Sequence, residues 1–104
     1  MNIALIGYGK MGKAIEEIAL ERGHSIVLKI NDENLEDFTR DNVAKADVAI
    51  EFSGPHSAYE NIKAIIDFGV PVVSGSTGWT ERINEINNYC NERKCAFRYA
   101  SNFS

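Results

Sequence analysis

The sequence predicts an α/β domain built on a doubly wound parallel sheet of about five strands, with helices on both faces. Three observations carry that class. Short apolar runs alternate with helical periods along all 104 residues, the order that parallel strands with crossover helices produce. The first run, Asn2 to Ile6, ends in Gly7-Tyr8-Gly9-Lys10-Met11-Gly12 and turns helical, the glycine spacing of a Rossmann-like fold. Small-residue and turn-forming groups, Ser53-Gly54-Pro55 and Gly75-Ser76-Thr77-Gly78, then punctuate the ends of later runs.

Each element has its own signal. Asn2 to Ile6 is short, apolar and stopped by Gly7, as a buried strand should be. Met11 to Arg22 sets Met11, Ile15, Ile18 and Ala19 on one helical face, and Gly23 closes that helix. Ile26 to Ile30 is a second strand, which completes a βαβ unit. Asn31 to Ala46 is polar, anchored only by Leu35, Phe38 and Val43, and reads as a short helix. Asp47 to Phe52 is a third strand. Ser57 and Glu60 have capping-box spacing ahead of a helix whose buried stripe is Ala58, Ile62, Ile65 and Ile66. Gly69 and Pro71 end that helix, and Pro71 to Ser74 is a fourth strand. Thr80 stands as N-cap of a helix carrying Ile83, Ile86 and Cys90 on one side, and Cys95 to Tyr99 is a fifth strand.

The composition narrows the function classes. A hydrophobic content of 44% suits one folded domain, residues 1–104, with a single core. A net charge of -4 argues against a nucleic-acid surface. No apolar run approaches the roughly 20 residues that cross a bilayer. The start Met1-Asn2-Ile3 leads straight into structure, so the cytoplasm is the expected location. Cys90 and Cys95, with no His or further Cys beside them, read as reduced or buried thiols rather than metal ligands. The fifth strand is followed only by Ala100-Ser101-Asn102-Phe103-Ser104, with no helix to cover the sheet, so the chain reads as cut rather than finished.

The glycine loop points to a phosphate. Gly7 permits the tight turn, Gly9 lets a pyrophosphate reach the backbone, and Gly12 lets the helix pack close. The helix end supplies free N–H groups and partial positive charge, and Lys10 and Lys13 add cations. At the end of the second strand, where an acid usually grips the adenosine ribose, stands Asn31, with Asp32 one step on. An Asn bonds a 2′-hydroxyl without repelling a 2′-phosphate, so acceptance of both NADH and NADPH is expected. The competing reading makes residues 31–34 a solvated turn.

Three further segments, Glu51-Phe52-Ser53-Gly54-Pro55, Gly75-Ser76-Thr77-Gly78-Trp79 and Ala100 to Ser104, fall at strand carboxyl ends, where open α/β sheets bind ligands. Together with the glycine loop, in this order along the whole chain, they resemble the N-terminal domain of the dihydrodipicolinate reductase (4-hydroxy-tetrahydrodipicolinate reductase) family. The resemblance implies Gly7, Tyr8, Gly9, Lys10, Met11 and Gly12 at the pyrophosphate and Asn31 or Asp32 at the adenosine ribose. It implies Phe52, Ser53, Gly75, Ser76, Thr77, Ser101, Asn102 and Phe103 near the nicotinamide, and Thr77 and Gly78 near substrate. Glu51 replaces the family's usual Asp, keeping the charge and lengthening the reach, and Ser76 replaces a Thr. The segment after the second strand is short, which puts the third strand beside the first, in sheet order 2-1-3-4-5.

The resemblance further implies an oxidoreductase of the diaminopimelate route to lysine, with hydride passing from NADPH or NADH to a cyclic imine-type dicarboxylate. Its substrate domain, which also builds a homotetramer and carries the protonating residues, would follow this chain. No catalytic acid, base or nucleophile is evident within these residues, so cofactor binding without turnover is expected. His24 reads as a surface turn residue, His56 as a neighbour of the pocket mouth, and Trp79 as packing over its loop. Two alternatives stand beside this reading: the cofactor domain of an aspartate- or homoserine-type dehydrogenase, and a regulatory dinucleotide-sensing module.

Overall fold

The computed structural model describes residues 1–99. Five strands, β1 (Asn2–Ile6), β2 (Ser25–Ile30), β3 (Val48–Glu51), β4 (Val72–Ser74) and β5 (Phe97–Tyr99), form one parallel sheet in the order β2-β1-β3-β4-β5. This is the expected order. The connections carry α1 (Lys10–Glu21), α2 (Arg40–Val43), α3 (Ala58–Asp67) and α4 (Ile83–Glu92), with 3-10 turns at Leu35–Asp37 and Thr80–Arg82. The register pairs Ile6 with both Ile30 and Glu51, Glu51 with Ser74, and Ser74 with Tyr99. These residues make one row across the sheet, and the chain leaves the sheet along that row into the loops that matter for function.

Side chains alternate across β1, as the two-residue period of a strand requires. Ile3 and Leu5 pack with Ala19 of α1, whereas Ala4 and Ile6 pack into the larger cluster of α2, α3 and α4. Helices therefore cover both faces, but unevenly. Ile62, Ile65 and Ile66 of α3 are fully enclosed, each contributing about 1.5–3 kcal/mol by removal from water.

Several local expectations need correction. Ile15 and Ala19 pack on the sheet as read, but Met11 and Ile18 are exposed and Gly12 is buried in their place. Gly12 sets the rotation of α1, because a Cβ there would lie 3.3 Å from the Gly7 carbonyl oxygen, so only the small side of the helix fits closely. Ser57 precedes α3 but makes no side-chain cap. Its backbone is already helical, since the Gly54 carbonyl accepts the amides of Ser57 and Ala58, and a capping box needs an extended N-cap. Thr80 opens the second 3-10 turn, and α4 begins only at Ile83. The segment Asn31 to Ala46 holds a 3-10 turn and a single α-turn, α2, whose cap is the Thr39 hydroxyl accepting the Asn42 amide at 3.3 Å. Gly23 ends α1 as expected, at φ +84, with the His24 amide returning to the Ala19 carbonyl.

Candidate functional site

The glycine loop leaves β1 and turns back over the sheet edge. Gly7 sits at φ +98, and a Cβ on it would lie 2.6 Å from the carbonyl carbon and oxygen of Phe52. Both requirements exclude any other residue there. The amides of Gly7 and Tyr8 donate to the Ile30 carbonyl at 2.8 Å, which ties the loop to the end of β2. The first intrahelical bond runs from the Lys13 amide to the Gly9 carbonyl, so the amides of Lys10, Met11 and Gly12 belong to the unpaired first turn. No side chain caps them and no acid lies in that turn. The Gly9 amide donates to the Gly7 carbonyl at 3.1 Å, and nothing approaches within 4 Å of the position a Gly9 Cβ would take, which leaves room for a ligand against the backbone there. The result is an uncapped helix N-terminus with Lys10 and Lys13 beside it, suited to an anion.

Tyr8 braces this loop. Its hydroxyl donates to Glu16 Oε1 at 2.6 Å, and Lys29 Nζ lies 2.8 Å from Glu16 Oε2 and 5.1 Å from the Tyr8 ring centroid. The Lys29 and Tyr8 hydrogen bonds hold the Glu16 carboxyl below its ordinary value, and the bond to Glu16 raises Tyr8 and Lys29 above theirs.

A pocket of about 370 Å³ opens between the glycine loop, the end of β2 and the start of α3. Gly7, Tyr8 and Gly9 form one wall; Asn31, Asp32 and Leu35 form a second; Phe52, Ser53, Ser57 and Asn61 form a third. Ile6 and Ile30 complete the lining. Asn31 is fixed by its turn: its Oδ1 accepts the Glu33 amide at 2.8 Å, and its own amide donates to Asn34 Oδ1 at 2.7 Å.

Beneath the third wall lies Glu51, a carboxylate with 0% exposure. Its Oε1 accepts the Ser74 hydroxyl at 2.6 Å, and its Oε2 accepts the Ser76 hydroxyl and the Ser53 amide at 2.7 Å each, together with the Ser53 hydroxyl. Among the described residues no ion pair reaches it. Donors alone compensate its burial. The network also joins loops, because the Gly54 amide donates to Ser76 Oγ at 3.0 Å and the Gly75 amide to the Glu51 carbonyl at 2.9 Å.

The pocket thus gathers Gly7, Tyr8, Gly9, Asn31, Asp32, Phe52 and Ser53 from the sequence-derived set. Lys10, Met11 and Gly12 occupy the helical turn beside it. Gly75, Ser76, Thr77 and Gly78 do not line it; they follow β4 farther along the same sheet edge, with Ser76 buried and Thr77 and Gly78 exposed. Ser101, Asn102 and Phe103 lie outside the described residues. Trp79 is buried, donates from Nε1 to the Ser76 carbonyl at 2.9 Å and meets Phe97 and Tyr99 edge-on, so it packs its loop. His56 is exposed and does not line the pocket. Sequence reasoning missed Ile6, Ile30, Leu35, Ser57 and Asn61 as lining residues. Asn61 follows Ser57 by four positions, a spacing that shares one helix face and was available as a signal.

Among solved structures, the chain resembles a hyperthermophilic archaeal homoserine dehydrogenase in complex with NADPH, at TM-score 0.73 and 17% identity over 96% of this chain and 43% of that one. A putative homoserine dehydrogenase from Archaeoglobus fulgidus is similar at TM-score 0.74 and 14% identity, over 97% of this chain and 42% of that one. These likenesses are of fold. Sheet order, glycine loop and pocket together define a Rossmann-like dinucleotide-binding domain. The family described as "Dihydrodipicolinate reductase, N-terminus" matches residues 1–103. The chain is 46% identical to 4-hydroxy-tetrahydrodipicolinate reductase of Christiangramia forsetii, over 100% of this chain and 43% of that protein. It is 35% identical to that of Staphylococcus haemolyticus, over 82% of this chain and 37% of that protein. The chain belongs to the dihydrodipicolinate reductase N-terminal family. It spans about two fifths of the length of these curated relatives.

Proposed function

We propose that this chain is the NAD(P)H-binding domain of a 4-hydroxy-tetrahydrodipicolinate reductase. In the whole protein, hydride passes from the reduced nicotinamide to a cyclic imine-type dicarboxylate in diaminopimelate and lysine biosynthesis. The observation that carries the reading is the pocket itself: the glycine loop, the end of β2 and the segment after β3 line one cavity of about 370 Å³, and the uncapped N-terminus of α1 stands beside it. The amides of Lys10, Met11 and Gly12 receive the pyrophosphate. Asn31 or Asp32 meets the adenosine ribose, and Asn31 still has its Nδ2 hydrogens to donate after Oδ1 is used in the turn. Phe52, Ser53, Gly75, Ser76 and Thr77, with Ser101, Asn102 and Phe103, form the nicotinamide side, and Thr77 and Gly78 border the substrate.

The cofactor supplies the reducing equivalent, and the protein orients it and excludes water. Residues for substrate binding and protonation, and for a homotetramer, belong to a further domain in this reading, as in a cytoplasmic enzyme without nucleic-acid or membrane partners. Among the described residues no helix is long and apolar enough to cross a membrane. Calorimetric titration of the chain with NADH and NADPH tests the reading. Binding of both within about a hundredfold (roughly 2.7 kcal/mol) agrees with it; a larger preference contradicts the role given to Asn31. Reductase turnover by the chain alone contradicts the need for a second domain.

A further inference from the structure

The buried carboxylate of Glu51 dictates the polarity of the pocket wall above it. Glu51 Oε2 accepts from the Ser53 amide and from the Ser53 and Ser76 hydroxyls, so the Ser53 hydroxyl proton is committed to it. That leaves Ser53 Oγ as an acceptor, and Asn61 fills it with Nδ2 at 2.8 Å. The Asn61 amide is therefore fixed in one sense, with its carbonyl oxygen on the other side. Among the described residues nothing donates to that oxygen, and Asn61 lines the pocket. Leu35, left 59% exposed on the second wall, adds an apolar surface suited to a flat ring. The β4 loop does not reach this cavity, which lies toward β2, the side where dinucleotide folds hold adenosine.

We propose that Asn61 contacts the adenosine half of the bound dinucleotide, its carbonyl oxygen accepting a hydrogen bond from an adenosine donor, and that Glu51 is its positioning residue, acting through Ser53. The inference rests on the pocket being a dinucleotide site. The shared chemistry is a single N–H or O–H donor, either the adenine amine or a ribose hydroxyl. Because Ser53 serves the ligand by orienting Asn61, the two substitutions are coupled.

The test measures ADP-ribose affinity by calorimetry for the full chain and for Asn61→Leu, Ser53→Ala and the double variant, with thermal melts as a folding control. Asn61→Leu weakens ADP-ribose by about fivefold to tenfold, the loss of one hydrogen bond, and leaves the melting temperature nearly unchanged. Ser53→Ala weakens it in the parent and has little further effect once Asn61 is Leu. Hypoxanthine and 2′-deoxyribose analogues of ADP-ribose identify the donor, because the analogue lacking it is insensitive to Asn61→Leu. Asn61→Leu binding ADP-ribose as tightly as the parent overturns the contact. Additive losses in the double variant overturn the relay. A parent chain that binds neither ADP-ribose nor NADH refutes the dinucleotide reading itself, a failure distinct from either.

Discussion

Gly7 and Phe52 are in backbone contact: the Cβ that Gly7 lacks would fall 2.6 Å from the Phe52 carbonyl oxygen. Gly9, two residues on, has nothing within 4 Å of the same position. One glycine is needed by the fold; the other, under the proposed function, serves the ligand. Gly7→Ala should destabilise the domain by about 2 kcal/mol or more, through both positive φ and overlap. Gly9→Ala should change stability by less than about 1 kcal/mol yet weaken dinucleotide binding at least tenfold, or about 1.4 kcal/mol. Denaturant melts and titrations on the two variants check the contrast; equal effects on stability would remove it.

Glu51 should be intolerant of neutralisation. Glu51→Gln places an amide among the hydroxyls of Ser53, Ser74 and Ser76, all of which now donate to the carboxylate. Loss of about 2–4 kcal/mol is expected, measured by urea unfolding with an unchanged m-value. Glu51→Asp keeps the acceptor but shortens the reach, and should recover part of that loss.

Lys94 ends α4 at φ +54, the only non-glycine with positive φ among the described residues. Its amide donates to the Asn91 carbonyl and the Cys95 amide to Cys90, the bonding pattern that favours glycine at this position. Lys94→Gly should stabilise the domain by about 0.5–1 kcal/mol. A shift of the urea midpoint to lower concentration would contradict this.

The Tyr8–Glu16–Lys29 group predicts a pH signature. Glu16 is held below its ordinary 4.5 by Lys29 and then Tyr8, so its contribution is complete above pH 4.5 and disappears as pH falls through the lowered value. Lys29 is raised above 10.5 by the Glu16 hydrogen bond, so its share is complete below pH 10.5 and disappears as pH rises through the raised value. Melting temperatures of the parent and Glu16→Gln across pH should diverge between these limits and converge outside them. A gap that is independent of pH would exclude the linkage.

Much of the fold was legible because periodicity reports burial directly. The stripe Ala58, Ile62, Ile65 and Ile66 is buried as read, and β1 spans Asn2–Ile6 as read. Helix starts were less legible, because Gly54 and Trp79 supply backbone acceptors that no residue type announces. Met11 and Ile18 misled because Gly12, a residue with no hydrophobic signal, decides which side of α1 meets the sheet. At the site, the glycine spacing located the uncapped N-terminus of α1. The Glu51 network and Asn61 stayed hidden, since they join residues from β3, α3 and the β4 loop that only the sheet register brings together.

Titration of the 104-residue chain with NADH, alongside Gly9→Ala, tests the central claim most directly. The account predicts saturable one-to-one binding by the parent chain and at least a tenfold loss in the variant, about 1.4 kcal/mol, with both proteins equally folded. A folded parent chain that binds no dinucleotide, or a Gly9→Ala variant that binds as well as the parent, would contradict it.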